Sequence, residues 1–132
     1  MNTLKKRKSG KKGFTLMEML IVVAIIGILI AIAIPTFSNA LNKARVAADE
    51  ANLHSFYSAK ISDHMLNETA LPDATTGATT VEIDGTTYTL QAGKYDITQD
   101  TANDTFYITY HPEKGPSTDA VIIPGGSGAT HG

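Results

Sequence analysis

The chain opens with a short basic stretch and then changes abruptly to one long apolar run. The first 13 residues hold six lysine or arginine side chains and no acidic one, a formal charge of +6. Residues 14–34 follow, 21 residues with a single charge on Glu18. An α-helix needs about 20 apolar residues to cross the core of a bilayer. The pattern predicts one membrane-spanning helix, with its basic end kept in the cytoplasm and the rest of the chain outside.

Glu18 is out of place in this run. A carboxylate at the centre of a bilayer costs roughly 2.5–3.5 kcal/mol on insertion scales. We therefore expect Glu18 to have a partner of opposite charge. The alternative is an ordinary single-span anchor, in which Glu18 lies near the end of the span and only reaches the interface.

Beyond residue 34 the apolar positions recur every three or four residues, which predicts that the helix continues with one packed face. Small side chains come first and bulky ones later, in the order Phe37, Ala40, Leu41, Ala44, Ala48, Ala51, Leu53, Phe56, Tyr57, Ile61 and Met65. Because alanines let helices approach closely, we expect the first half to meet other helices and the second half to cover a sheet.

Four charged residues fall away from this stripe, namely Lys43, Arg45, Asp49 and Glu50. They predict a solvated helix face, and salt bridges between copies of the chain are the alternative.

The residues after the helix alternate like strands. The helix is predicted to end at residues 66–68, before a threonine-, alanine- and glycine-rich loop at residues 73–80. Asp84-Gly85 between two β-prone segments, residues 79–83 and 86–90, predicts a hairpin. Residues 94–98 and 105–110 predict a second pair around a polar turn at 99–104, and residues 120–123 a final strand. The predicted fold is α+β, an antiparallel sheet packed on the helix by one face.

Charge and composition exclude some kinds of ligand and of stabilising bond. After residue 13 the chain carries five basic and 13 acidic side chains, a formal charge of −8. A surface this acidic argues against nucleic acid as the main ligand. The sequence has no cysteine, so packing and backbone pairing alone must hold the small C-terminal domain.

No pattern predicts catalysis or a cofactor. The chain lacks a nucleophile motif and a phosphate-binding glycine loop. Its histidines, His54, His64, His111 and His131, lack metal-ligand spacing. Four loop acids could contribute to a calcium site, namely Asp100, Asp104, Glu113 and Asp119. Their spacing fits no ligand pattern, so solvated acids are the favoured interpretation.

The order of Lys11, Lys12, Gly13, Phe14, Thr15, Leu16, Met17 and Glu18, then the apolar span and Pro35, resembles the type IV prepilin signature. That family includes type IV pilins, secretion pseudopilins and competence pilins. The resemblance covers residues 11 to 66 and is only architectural beyond them. Many pilins close their C-terminal region with a disulfide, and this chain departs from that pattern.

The resemblance implies roles for particular residues. A prepilin peptidase would cut between Gly13 and Phe14 and methylate the new amino group of Phe14. Glu18 would pair with that amino group on a neighbouring subunit and set the register of a filament. The stretch from Gly27 to Pro35, where the helix is weakest, would unwind in the filament.

The resemblance also implies a domain plan. Residues 1–13 form a removed leader, 14–34 the membrane and filament-core helix, 35–68 its amphipathic continuation, 69–124 the loop and sheet, and 125–132 a flexible tail. The partners would be further copies of the chain in a helical filament, the peptidase, a membrane assembly platform and an ATPase. The protein would be a single-span protein of the cytoplasmic membrane, and then part of an extracellular pilus.

Alternative interpretations remain at this point. An ordinary signal peptide could be cut after Ser38-Asn39-Ala40 and release a chain that starts at Leu41, although such apolar regions run about 7–15 residues and this one is longer. Within the family, a type IV pilus subunit is favoured. A pseudopilin of type II secretion, or a minor or competence pilin with a binding role, is the alternative.

Overall fold

The computed structural model describes residues 13–124, and the predicted leader, apart from Gly13, and the predicted tail lie outside them. This part of the chain contains one long helix followed by six strands. The elements are α1 Leu16–Asn67, β1 Thr75–Ala78, β2 Thr80–Ile83, β3 Thr86–Thr89, β4 Gly93–Asp100, β5 Thr105–Pro112 and β6 Val121–Ile123. The predicted α+β architecture is confirmed, and the helix ends within the predicted range. The chain divides into two compact units, Met1–Phe37 and Ser38–Gly132, and α1 contributes to both.

The helix of the first unit presents its apolar side chains outward. Every large hydrophobic side chain from Phe14 to Ile34 is at least 40% exposed in the isolated chain. The helix continues through Gly27 and Pro35 without a break. The hydroxyl of Thr36 donates to the carbonyl of Ile32 at 3.2 Å beside the proline. The predicted unwinding concerns the assembled filament and stays a prediction.

The second unit contains an antiparallel sheet in the order β1-β4-β5-β6 and a separate hairpin of β2 and β3. The predicted hairpin is confirmed, since Ile83 pairs with Thr86 and Thr80 with Thr89. Asp84 and Gly85 both have positive φ angles, of 50° and 77°. A type I′ turn requires positive φ at both central residues, so this dipeptide determines the register of the hairpin. The predicted second strand pair and final strand are confirmed as β4, β5 and β6.

The prediction of a plain loop at residues 73–80 was wrong, because this stretch contains β1. Thr75 pairs with Ile97 and Ala78 with Tyr95, with a shift of register between them. Gly77 lies at that shift with a φ of 68°, and its N–H donates to Asp96 Oδ1 at 2.7 Å. The glycine that suggested a loop therefore marks a bulge in an edge strand.

The core lies between the C-terminal half of α1 and one face of the sheet. Leu53 and Phe56 of the helix are buried with the alternating side chains Tyr95, Ile97, Phe106, Ile108, Tyr110 and Ile123. The Phe56 and Phe106 rings meet edge to face, with centroids 6.5 Å apart. The predicted stripe is wrong at Met65, which is 75% exposed because the helix packs on the core only as far as Ile61.

Asp49 is buried, so its predicted place on a solvated face was wrong. The residue is 1% exposed. Its carboxylate accepts hydrogen bonds from the N–H groups of Gln91 and Ala92, at 2.7 and 2.8 Å, and from the hydroxyl of Tyr110 at 2.8 Å. The first two donors lie between β3 and β4, and the third lies in β5. Asp49 therefore joins the middle of the helix to two parts of the loop and sheet at residues 69–124, called the head below. Burial is the largest cause that raises the pKa of the Tyr110 hydroxyl, and its hydrogen bond to Asp49 is the second.

Asp49→Asn should destabilise the head, because an amide NH₂ would face donors that the carboxylate now satisfies. We expect a loss of about 1–3 kcal/mol in the free energy of unfolding, and a smaller loss of about 1 kcal/mol for Tyr110→Phe. Denaturant unfolding of the full chain in detergent measures both. Glu82→Gln, a change at an exposed site on β2, is the control. An Asp49→Asn protein as stable as this control would contradict the role of Asp49.

Candidate functional site

The first turn of α1 is closed by a reciprocal pair of hydrogen bonds. The N–H of Thr15 donates to Glu18 Oε2 at 3.1 Å, and the N–H of Glu18 donates to Thr15 Oγ1 at 3.2 Å. The N–H of Met19 donates to the carbonyl of Thr15 at 3.1 Å. This is a capping box, in which two side chains satisfy backbone donors that the start of a helix leaves free. It determines that the helix starts at Leu16.

The capping role of Thr15 was missed by the sequence analysis. A threonine followed three residues later by a glutamate, just before an apolar run, is the sequence signature of such a cap. The signature was present in the sequence, but only the charge of Glu18 was considered. Thr15 therefore joins Glu18 as a residue that shapes this end of the helix.

The capping box also orients the Glu18 carboxylate. The bond from Thr15 uses Oε2, and the side chain is exposed, so Oε1 can accept a donor from a second molecule. Glu18 lies in the first turn of α1, where the partial positive charge of the helix end favours an anion by about 0.3–1 kcal/mol. Neither the cap nor the helix end supplies a full positive charge.

Gly13 and Phe14 precede the helix and are open to approach. Phe14 is 79% exposed, and a Cβ atom added at Gly13 would meet no atom within 4 Å. Within residues 13–124, no contact therefore demands a glycine at position 13.

Gly27 and Pro35 lie within α1, eight residues apart in the sequence, or about 12 Å along a helix. A Cβ atom at Gly27 would also meet nothing within 4 Å. Contacts within the described part of the chain thus give no packing reason for this glycine.

The four loop acids considered for calcium are not gathered into one site. Across residues 13–124 no group of three potential metal ligands is present. Asp104 contacts His64, Glu113 pairs with Lys94 at 2.8 Å, Asp119 contacts Ser117, and Asp100 accepts from Asn103. The Lys94 ammonium holds the pKa of the Glu113 carboxyl below its usual value.

Helix α1 is long and apolar enough to cross a membrane, and its most apolar stretch is entirely exposed in the isolated chain. A signal sequence near an N-terminus satisfies the same criterion.

Comparison with known proteins finds one family and several relatives that match this chain. Residues 8–34 match the family described as the prokaryotic N-terminal methylation motif. A type IV major fimbrial protein FimA of Dichelobacter nodosus is 39% identical over 101 residues, which cover 74% of this chain and 62% of that protein. Another FimA of that organism is 60% identical over 40 residues, 30% of this chain and 26% of the relative.

The type IV major pilin protein PilA of Myxococcus xanthus is 49% identical over 49 residues, 37% of this chain and 22% of the relative. The chain thus spans between 22% and 62% of the length of these three relatives. No solved structure matches the chain.

Thr15→Val should fray the start of α1, because it keeps the shape of the side chain and removes the hydroxyl that caps Glu18. An N-cap contributes typically about 1 kcal/mol, so the amide of Glu18 should exchange its hydrogen roughly fivefold faster. Hydrogen exchange followed by NMR in micelles measures this, with Thr15→Ser as the matched control that keeps the hydroxyl. Equal exchange in the valine and serine variants would show that the cap does not stabilise this turn.

Proposed function

Because the chain belongs to the family of type IV pilins and pseudopilins, we propose that its mature form is the structural subunit of a type IV pilus, polymerised through α1. The observation that carries the proposal is an exposed carboxylate, Glu18, at the start of a helix whose large apolar side chains are all exposed as far as Ile34. Soluble monomeric proteins rarely leave so large an apolar surface uncovered. Lipid covers this surface before assembly, and the helices of other subunits cover it afterwards.

Processing is the first step of this function. A prepilin peptidase cuts after Gly13 on the cytoplasmic side and methylates the amino group of Phe14. The open surroundings of Gly13 support this step, since an enzyme can reach the backbone there. No contact among residues 13–124 requires a glycine at position 13, which supports a requirement imposed by the enzyme, because an enzyme grips extended backbone more easily without a side chain.

Assembly then rests on a pair of opposite charges. The new ammonium group of Phe14 and the carboxylate of Glu18 are each costly in an apolar environment. A salt bridge between Phe14 of one subunit and Glu18 of the next compensates both, and opposite charges attract strongly where the dielectric constant is low. The capping box supports this step because it leaves Oε1 of Glu18 open to an incoming donor. Only one axial position brings the two groups together, so the pair sets the register.

The rest of the helix follows the same plan. Residues 14–34 form the membrane span and then the filament core, residues 35–68 continue the helix, and residues 69–124 form the outer head. The exposed alanines Ala44, Ala48 and Ala51 permit close packing of neighbouring helices. The segment from Gly27 to Pro35 unwinds on assembly, because the proline has no N–H to donate there. An assembly platform and an ATPase extract the subunit from the cytoplasmic membrane into an extracellular filament.

The names of the relatives favour a pilus over a secretion pseudopilus. The three relatives named above are major fimbrial and pilin proteins. A major subunit has to be abundant in filaments sheared from cells. Scarcity there would indicate a minor pilin with a binding role, and loss of enzyme export on deletion would indicate a pseudopilin.

Glu18→Val and Glu18→Gln should both be processed normally and yet fail to form filaments. Glutamine is the informative variant, because it retains the capping interaction and removes only the charge. Leaving one member of a buried ion pair without its partner costs about 3–5 kcal/mol, so we expect filament yield to fall at least tenfold. Electron microscopy and quantification of sheared filaments measure this yield, with Glu82→Gln as the control.

Mass spectrometry of each variant, purified from the membranes of the cells that express it, checks processing independently. A mature N-terminus at methylated Phe14 in all variants is expected. A chain that starts at Leu41 would mean that an ordinary signal peptide is removed. Filaments of Glu18→Gln as numerous and as long as those of the unchanged protein would contradict the charge pair.

A further inference from the structure

The last turn of α1 carries a histidine whose two ring nitrogens both face acceptors. Nδ1 of His64 lies 2.6 Å from the carbonyl oxygen of Thr69, and Nε2 lies 3.1 Å from Oδ2 of Asp104. The His64 side chain is 18% exposed. A neutral imidazole has one N–H group, whereas the imidazolium has two. Only the protonated ring can donate to both oxygens, so this geometry fits charged His64.

These contacts join three segments that are separate in the sequence. His64 belongs to α1, Thr69 to the connection that leads to β1, and Asp104 to the turn between β4 and β5. Both Glu68 and Asp104 have left-handed backbone, with φ angles of 51° and 52°. The contacts of His64 therefore lie between the end of α1 and the β4–β5 turn.

Four acidic residues lie near His64 in the sequence or in the β4–β5 turn, and Asp104 contacts its ring. Asp104 approaches from the β4–β5 turn, and Asp100 begins that turn and accepts from Asn103 at 2.8 Å. On the side of the helix, Asp63 precedes His64 and accepts from Asn67, and Glu68 follows the helix end. The C-terminal end of a helix also favours a cation. The carbonyl of Thr69 first, and Asp104 second, raise the pKa of His64 above 6.5.

We propose that His64 is a proton-operated clamp that fastens the β4–β5 turn to the end of α1, and that loss of the proton releases the turn. The proton passes to water, and the remaining N–H stays on Nδ1, because Thr69 is the closer acceptor and only five residues away. Nε2 then presents a lone pair to the carboxylate of Asp104. Two acceptors repel each other, so this contact opens while the contact to Thr69 persists.

The direction of the pH dependence follows from the raised pKa. The clamp contributes its full stabilisation below pH 6.5, the ordinary value for histidine, and loses it as the pH rises through the higher value of the folded protein. The β4–β5 turn is therefore attached to the end of α1 at acidic pH and becomes mobile at alkaline pH. This device does not depend on the function proposed for α1.

NMR of the full chain in detergent micelles tests the clamp between about pH 5 and 9, where histidine titrates. The His64 ring should titrate with a midpoint above 6.5. In Asp104→Asn that midpoint should fall, and asparagine tolerates the left-handed backbone of this position. Asp63→Asn, which removes a neighbouring carboxylate that contacts Asn67 instead, is the matched control and should leave the midpoint almost unchanged.

Hydrogen exchange of the amides in residues 101–105 reports on the turn itself. After correction for the intrinsic effect of pH, protection should decrease through the same midpoint in the unchanged protein. In His64→Gln it should not depend on pH. A midpoint at or below 6.5 would overturn the proposal, as would a midpoint unaffected by Asp104→Asn or turn protection that ignores the ring titration. Unchanged β4 and β5 amide shifts confirm that each variant is folded.

Discussion

The Glu18 carboxylate, in an otherwise apolar helix, constrains how the first unit of this protein can be covered by lipid or by other proteins. Glu18 caps its own helix through Thr15, which satisfies a backbone donor but brings no countercharge. The apolar surface behind it must be covered, whether by lipid or by protein. Once it is covered, the charge lies in an environment where an unpaired ion is costly. In the proposed filament a second molecule supplies the missing positive charge, because processing would create an ammonium group on Phe14 of each subunit.

The head also contains a carboxylate away from water, and there the donors that stabilise it belong to the same chain. Asp49 is a buried carboxylate, and it is satisfied by the two backbone N–H groups of Gln91 and Ala92 and by the hydroxyl of Tyr110. These donors are neutral, so Asp49 needs no partner molecule. Glu18 and Asp49 lie on one helix, 31 residues apart. Glu18 is exposed and keeps one carboxylate oxygen free of the cap, whereas Asp49 links the helix to the segment before β4 and to β5.

Features governed by near neighbours in the sequence could be predicted. The Asp84-Gly85 hairpin followed from the φ angles that its turn requires, and the long helix followed from its periodicity. The capping box could also have been found from Thr15 and Glu18, which are three residues apart. The bulge at Gly77 could not, because a glycine among threonines looks the same in a loop and in an irregular edge strand.

Features that depend on distant segments stayed out of reach. The donors to Asp49 come from 42 to 61 residues further along the chain, and Asp104 is 40 residues from His64. Helical periodicity placed Asp49 on the solvated face, because the pattern along the helix contains no information about the loop that covers this position. Met65 kept the period of the stripe, but the core ends before it. Periodicity gives the direction of a side chain, and only the tertiary fold gives what lies opposite.

The most direct measurement is a cryo-electron microscopy map of the assembled filament, resolved well enough to show the first turn of α1. The account predicts the amino nitrogen of Phe14 of one subunit within about 4 Å of a carboxylate oxygen of Glu18 of its neighbour, the usual limit for an ion pair. A map in which that carboxylate faces water or lipid, with no amino group beside it, would contradict the account.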